Sequence, residues 1–226
     1  MHTQTKPTLG FIGAGRVATN LAVALSRAGY SVLAISSGTL LNAERLARQI
    51  PSAIAVGNNQ SVADSVDIVF ITTPDDVVSQ VAETVDWLPA QQVVHCSGAL
   101  TLESLTAPFE KGCQVGSFHP VHTFRPIGSD SVGSFEGISI GVEGAPSLLD
   151  ALIGMANDLR GIPIVVPAEA RSLYHAGAVF VCGYFVALFR DALTLWQLGG
   201  SSGEVATSAL AQLVKTTLEN LQVLGP

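Results

Sequence analysis

A short apolar strand running into a glycine turn constrains this chain more than any other feature: Leu9-Gly10-Phe11-Ile12-Gly13-Ala14-Gly15-Arg16-Val17-Ala18. The order is strand, then G-x-G-x-x-A, then helix, and that context carries more than the glycines alone. Gly13 permits a tight turn, Gly15 lets a phosphate approach the backbone, and Ala18 lets helix and strand pack closely. The free N–H groups and the positive end of the helix dipole then face the ligand. The expectation is a dinucleotide site at Gly13, Ala14, Gly15, Arg16 and Val17. The plainer alternative is a tight βα turn in an α/β domain without a cofactor.

The rest of the chain supports an alternating architecture. Strands are expected at residues 9–12, 31–36, 53–56, 66–72, 92–95, 114–118, 138–142 and 163–166. Helices are expected at 17–28, 40–49, 75–85, 101–105 and 146–160. Residues 68–71 (Ile-Val-Phe-Ile) are apolar on both faces, as a parallel sheet demands. This predicts a doubly wound, mostly parallel sheet over residues 1–167. After Pro167 the strand signals stop. A long helix is expected at 168–197, apolar nearly all round between 176 and 189 and therefore buried on all sides. Ser201 and Glu204 have capping-box spacing for a last helix. The chain thus reads as a nucleotide domain, 1–167, and a small all-helical domain, 168–226.

Composition narrows the partners. Eleven Lys and Arg against eighteen Asp and Glu give a formal charge of −7, with no basic run, so nucleic acid is not expected. Only 13% of residues are charged, which predicts an apolar surface covered by a second subunit. Cys96, Cys113 and Cys182 are far apart, with neither a disulfide framework nor metal-ligand spacing. The polar start, residues 1–7, lacks a signal-peptide core. The apolar run 176–189 is too short to span a membrane and contains two glycines. The expectation is a cytoplasmic protein with no membrane and no metal.

The strand ends carry the candidate chemistry. The second strand ends Ser36-Ser37-Gly38-Thr39, with no carboxylate to favour a free ribose 2′-hydroxyl. Hydroxyls there, with Arg16 or Arg45, favour NADP over NAD. Thr73 and Pro74 follow the fourth strand and should lie beside the nicotinamide ribose. His95-Cys96-Ser97 and Phe118-His119-Pro120 follow two further strands. A histidine can supply the proton that carbonyl or imine reduction requires, and Ser97 could hold the substrate's oxygen. His175 stands in the first turns of the long helix as a third candidate. Each histidine is equally readable as a hydrogen-bonded structural residue. Cys96 has no visible partner for covalent catalysis.

Together G-A-G-R-V-A at 13–18, T-P-D-D at 73–76, H-C-S-G-A at 95–99, S-F-H-P at 117–120 and L-Y-H-A-G-A-V-F at 173–180 make a recognisable set. It resembles a bacterial group of Rossmann-like proteins with a C-terminal domain of unknown function. More distantly the chain is similar to 6-phosphogluconate dehydrogenase, pyrroline-5-carboxylate reductase and the reductases that use NADP with a deazaflavin. The resemblance implies a Rossmann domain, a helical domain that often makes a homodimer, and a site between them. Gly13, Gly15 and Arg16 would meet pyrophosphate, with Thr73 and Pro74 on the nicotinamide side. His175 falls roughly where the hydroxyacid dehydrogenase relatives place a catalytic lysine, so their mechanism does not transfer directly. Gly183 replaces the family's Asn. The chain ends at Pro226 where the family usually continues, which suggests a short member or a missing end.

These observations predict an NADP-dependent oxidoreductase acting on a small carbonyl or imine substrate. His119 or His175 would be the proton donor, with His95 and Ser97 beside them. The alternative is a non-catalytic NAD(P)-binding sensor or assembly protein.

Overall fold

The computed structural model describes residues 6–125 and 133–225; most of the polar start, residues 1–5, and Pro226 lie outside them. The chain divides into two compact units, Met1–His175 and Ala176–Pro226.

The first unit begins β1 (Thr8–Ile12), α1 (Arg16–Arg27), β2 (Ser31–Ser36), α2 (Leu40–Ala47), β3 (Ile54–Ala55), α3 (Asn59–Ala63), β4 (Ile68–Ile71) and α4 (Asp75–Thr84). It continues β5 (Gln92–His95), a 3-10 turn at Leu102–Leu105, α5 (Thr106–Glu110), β6 (Gln114–Pro120), β7 (Ser139–Gly144), α6 (Pro146–Asp158) and β8 (Ile162–Val165).

Period-two alternation explains why the central strands are apolar throughout. Leu9 and Phe11 of β1 enter one core layer and Ile12 the other. On β4, Ile68 and Phe70 face the first layer while Val69 and Ile71 face the second. Leu21 and Leu25 of α1, with Leu148, Leu152 and Met155 of α6, close the first layer. Val62 of α3, with Val78 and Val81 of α4, closes the second. Phe70 stacks on Phe11 at 5.1 Å and meets Phe118 edge-on at 6.0 Å. Such pairs add roughly 0.5–1.5 kcal/mol each beyond burial.

The sheet runs β3-β2-β1-β4-β5-β6-β7-β8. All neighbouring pairs are parallel except β6 and β7, so the expected mostly parallel, doubly wound sheet holds. The strand order reverses direction between β1 and β4. That switch point is where open α/β sheets bind ligands, outside the carboxyl ends of the strands. The motifs after β1, β4 and β5, and the Ser117–Pro120 motif at the end of β6, all lie on this edge.

Several expectations need correction. The third strand is only two residues long, and α3, capped by Asn58 accepting from the Ser61 N–H at 2.8 Å, was not anticipated. The long helix is not continuous. It runs through a 3-10 turn (Ala168–Ala170), α7 (Arg171–Val179), a π turn (Phe180–Tyr184) and α8 (Phe185–Leu198). Nor is it buried on all sides. Val181 is 77% exposed and Leu188 68%. Apolar composition shows that a face needs cover, not that the same chain provides it. The division between the units falls inside α7, after His175. In the second unit α8 packs on α9 (Gly203–Leu224). The cap of α9 is Ser202, whose Oγ accepts from the Val205 N–H at 3.3 Å, and not Ser201.

Candidate functional site

The turn after β1 has the form a phosphate cradle needs. Gly13 sits at φ +110°, which L side chains rarely adopt, and its N–H donates to the Ser36 carbonyl at 2.9 Å. A Cβ there would stand 2.8 Å from the Thr72 backbone. Gly15 is different. Its φ of −80° suits any residue, and a Cβ there would meet nothing within 4 Å. Neither backbone nor packing calls for glycine at that point. What its absent side chain leaves clear is the N-terminus of α1, which no side chain caps. The first-turn N–H groups and the helix dipole are therefore free for an anion. Arg16 is exposed beside them, Val17 is half-buried, and Ala14 and Ala18 are buried beneath. These residues fit the pyrophosphate of a dinucleotide.

At the end of β2, Ser36 is buried and its hydroxyl donates to Asn59 Oδ1 at 2.8 Å. Its proton is thus committed within the protein. Ser37 is half-buried, and Thr39 is exposed at the start of α2 with no side-chain cap bond. After β4, Thr73 Oγ1 is buried without a hydrogen-bond partner, an unmet polar atom in the loop that enters α4. Pro74 is the exposed N-cap residue of α4.

The histidines fall into two environments. His95 is fully buried, as the last ladder residue of β5 must be, and its Nδ1 accepts from the Ser97 N–H at 3.2 Å. Its Nε2 has no partner. Burial, with smaller contributions from Arg171 and His119, lowers its pKa from 6.5 to about 3, so it is neutral. Ser97 donates to Asp75 Oδ2 at 2.7 Å and accepts from the Ala99 and Leu100 N–H groups at 3.1 Å. With its bonds so committed, Ser97 braces the loop that carries Gly98. Burial also pushes the Cys96 thiol well above its ordinary range, which keeps it unreactive.

His119 and His175 converge over Gly98. A Cβ on Gly98 would lie 2.5 Å from His119 Cε1, 2.7 Å from His119 Nε2 and 2.6 Å from His175 Nδ1. Glycine is the only residue that leaves both imidazoles in place. The two ring centroids are 6.1 Å apart. His175 Nδ1 is buried without a partner. His119 Nδ1 lies 2.9 Å from the Tyr174 hydroxyl. Burial first, then His175 and Arg171, lower the His119 pKa to about 4 against a small opposing effect of Asp75. The ring is therefore neutral at pH 7. A neutral ring that accepts the Tyr174 O–H at Nδ1 carries its own proton on Nε2, which faces Gly98. Burial raises the Tyr174 pKa, with Arg171 opposing it, so the phenol keeps that proton.

The sequence reading missed the group beneath these rings. Arg171 is 0% exposed, first among the largest fully buried side chains. Its Nε and Nη2 donate to Glu143 Oε2 at 3.1 and 2.6 Å, and Nη2 donates to Ser117 Oγ at 2.6 Å. An arginine at a helix start reads as solvent-facing, and Glu143 is 28 residues away on β7. Only the spacing Arg171-x-x-Tyr174-His175 hints that the three share a helix face. Among the described residues no cluster of three His, Cys, Asp or Glu could hold a metal ion.

Comparison with known proteins places the fold. The Rossmann-like domain family matches residues 2–120, and the domain of unknown function DUF2520 matches residues 138–226. No curated protein sequence matches the chain. Among solved structures, BF3122 from Bacteroides fragilis, a candidate NADP oxidoreductase, superposes with a TM-score of 0.79 at 22% identity. That match covers 98% of this chain and 82% of the other. A reductive aminase from Aspergillus terreus, in complex with NADPH and ethyl-5-oxohexanoate, gives 0.76 at 16% identity over 97% and 76%. The 1-pyrroline-5-carboxylate reductase of Streptococcus pyogenes gives 0.74 at 15% over 97% and 81%. At these identities the likeness is one of fold.

Proposed function

We propose that this chain, which belongs to the Rossmann-like domain family, is an NADP-dependent oxidoreductase that moves hydride to or from the carbonyl or imine carbon of a small substrate. One observation carries the reading. The open, uncapped α1 N-terminus at Gly15 shares the strand-end edge of the sheet with two imidazoles that converge over Gly98. A phosphate cradle and a proton-handling pair on one edge are what reduction of a C=O or C=N bond requires.

NADP, when bound, supplies or accepts the hydride. Gly13, Ala14, Gly15, Arg16 and Val17 hold its pyrophosphate, and Thr73 and Pro74 flank its nicotinamide side. No carboxylate ends β2, so nothing there repels a 2′-phosphate. Ser37 and Thr39 donate to that phosphate, with charge from Arg16; Ser36 shapes the turn. His119 handles the substrate proton. In the reducing direction His119 would give its Nε2 proton to the substrate oxygen or nitrogen. Tyr174 restores the ring through Nδ1. A developing alkoxide is a far stronger base than a phenolate, so the transfer runs downhill even with the Tyr174 pKa raised. His175 Nδ1, which converges with His119 over Gly98, meets the same substrate atom. His95, buried beneath, holds the Gly98 loop.

The protein acts in the cytoplasm as a soluble homodimer joined through its helical unit. Its three cysteines are free, as a reducing compartment favours, and α8 and α9 present uncovered apolar faces.

Titrating NADPH and NADH against the protein by nicotinamide fluorescence tests the reading, with Gly15→Asp as the control. The expected result is tighter binding of NADPH and loss of both in the variant. No binding of either would remove the proposal. A panel of ketones, keto acids and imines then tests turnover. His119→Asn should cut turnover while sparing NADPH affinity. Binding without any turnover would leave a nucleotide-binding sensor.

A further inference from the structure

We infer that Arg171 is a positioning residue: through Glu143, Ser117 and the Ser97 carbonyl it pins the start of α7 to the strand ends, and so sets Tyr174 against His119 and His175 over Gly98. The inference rests on the oxidoreductase reading for its consequence, but its geometry stands alone.

A fully buried guanidinium is an expensive way to fill a core. Its desolvation often equals or exceeds what its partners return, and apolar side chains of similar volume would serve stability as well. Arg171 therefore needs an explanation other than stability, and its contacts provide one. Glu143 lies on β7, Ser117 on β6 and Ser97 just beyond β5. Arg171 donates to the first two at 2.6 Å and to the Ser97 carbonyl, more weakly, at 3.4 Å. One planar fork thus ties α7 to three separate segments, which the point charge of a lysine could not do. Tyr174 and His175 stand three and four residues later, on the face of α7 that carries Arg171. Fixing Arg171 fixes the depth and rotation of that face. The Tyr174 hydroxyl then falls 2.9 Å from His119 Nδ1. Around the His119 ring stand Arg171, Tyr174 and His175 from α7, Asp75 from α4 and His95 from β5. Arg171 is the cation that helps keep this ring and His95 neutral.

The test uses Arg171→Met combined with Glu143→Leu, which replaces the ion pair with apolar volume and leaves no orphan charge. Imidazole ¹⁵N spectra report the proton position on His119, and Tyr174→Phe supplies the reference for a lost hydroxyl contact. The double variant should fold and keep NADPH affinity within about threefold, because the cradle at Gly15 is untouched. Its His119 spectrum should match that of Tyr174→Phe, and turnover should fall by about a hundredfold from misplacement alone. Arg171→Lys should not restore either. A purely structural role predicts a wild-type His119 spectrum in the double variant, and that result overturns the inference. Should the double variant fail to fold, Ser117→Ala decides. It removes the 2.6 Å bond while keeping both charges. A partial shift toward the Tyr174→Phe spectrum supports positioning, and an unchanged spectrum refutes it. If the wild-type protein turns over no substrate, the functional reading fails, yet the spectra still decide the role of Arg171.

Discussion

Two glycines separated by one residue serve different masters. Gly13 is demanded by the protein: its φ is +110° and a Cβ would collide with the Thr72 backbone. Gly15 is demanded by nothing in the protein, since its φ is ordinary and the space beside it is empty. The two should part company on mutation. Gly13→Ala should lower folding stability by about 1–3 kcal/mol, the cost of holding a side chain in a sparsely populated backbone region. Gly15→Ala should leave stability unchanged or raise it by about 0.4–1 kcal/mol through the unfolded chain. It should still weaken NADPH binding at least tenfold, because the methyl group occupies the phosphate's approach. Urea denaturation and fluorescence titration on the same two variants make the comparison. Stability loss in Gly15→Ala, or undiminished NADPH affinity, would sink the assignment of Gly15 to the ligand.

At the scale of the element, helix ends and strand faces decide how much can be read in advance. The central strands were legible because residues 68–71 are apolar on both faces, a pattern few other elements demand. The βα turn was legible because its glycines have a physical use in that order. The cap of α9 was not. Ser201 and Ser202 are adjacent, and spacing to Glu204 favoured the wrong one; the structure places the Ser202 hydroxyl on the Val205 N–H. Ser202→Ala should therefore destabilise the first turn of α9 by about 1 kcal/mol, while Ser201→Ala should cost nothing. Amide exchange at Val205 measures both, and equal effects would reject the assignment. The clamp beneath the site was illegible for another reason. Arg171, Glu143 and Ser117 are brought together only by the pairing of β6 with β7 and the return of α7. Local patterns cannot register a contact made across the sheet. His119 and His175 were singled out as separate candidates, but their meeting over Gly98 needed the fold. Apolar composition in α7 and α8 signalled burial correctly as a need and wrongly as a fact, because sequence does not say which molecule supplies the cover.

The whole molecule should respond to pH and, as the proposed homodimer, to its own concentration. Burial lowers the pKa of His95 to about 3 and of His119 to about 4, against 6.5 in the unfolded chain. Above pH 6.5 neither state binds these protons, so the folded state is at full advantage. As pH falls from 6.5 toward 4, the unfolded chain takes up protons that the folded chain refuses, and stability drops by about 1.4 kcal/mol per pH unit for each histidine. Asp158, held below its ordinary 3.8 chiefly by the Lys6 hydrogen bond, acts only at lower pH. Urea denaturation at pH 7 and pH 5 should show the loss, with a shallower slope in His119→Asn; equal stability at both values would contradict neutral, buried rings. The proposed dimer would depend on concentration through α8 and α9. Leu188, Leu195 and Leu198 are 68%, 70% and 81% exposed, and Leu213 and Val223 of α9 are 60% and 82%. By length and composition the helical run Ala168–Leu198 could cross a membrane: an 18-residue window of it has a mean hydropathy of 1.7, and none of that window is buried. Two features oppose that. Arg171 near its start is bonded to Glu143 and Ser117 of the sheet, and Arg190 and Asp191 place charge in its second half. A second copy of the chain is the occupant that fits, since symmetric interfaces of this apolar kind are what stable homodimers bury. Leu188 and Leu195 are seven residues apart, so they share one face of α8. Burying a leucine is worth about 1.5–3 kcal/mol. Losing two per copy should weaken association by well over a hundredfold. Sedimentation velocity should therefore show a dimer for the wild type at micromolar concentration. Leu188→Glu with Leu195→Glu should give a monomer that still binds NADPH, because the cradle at Gly15 lies in the other unit. A wild-type monomer across that range, or partition of the protein into neutral vesicles, would refute the dimer.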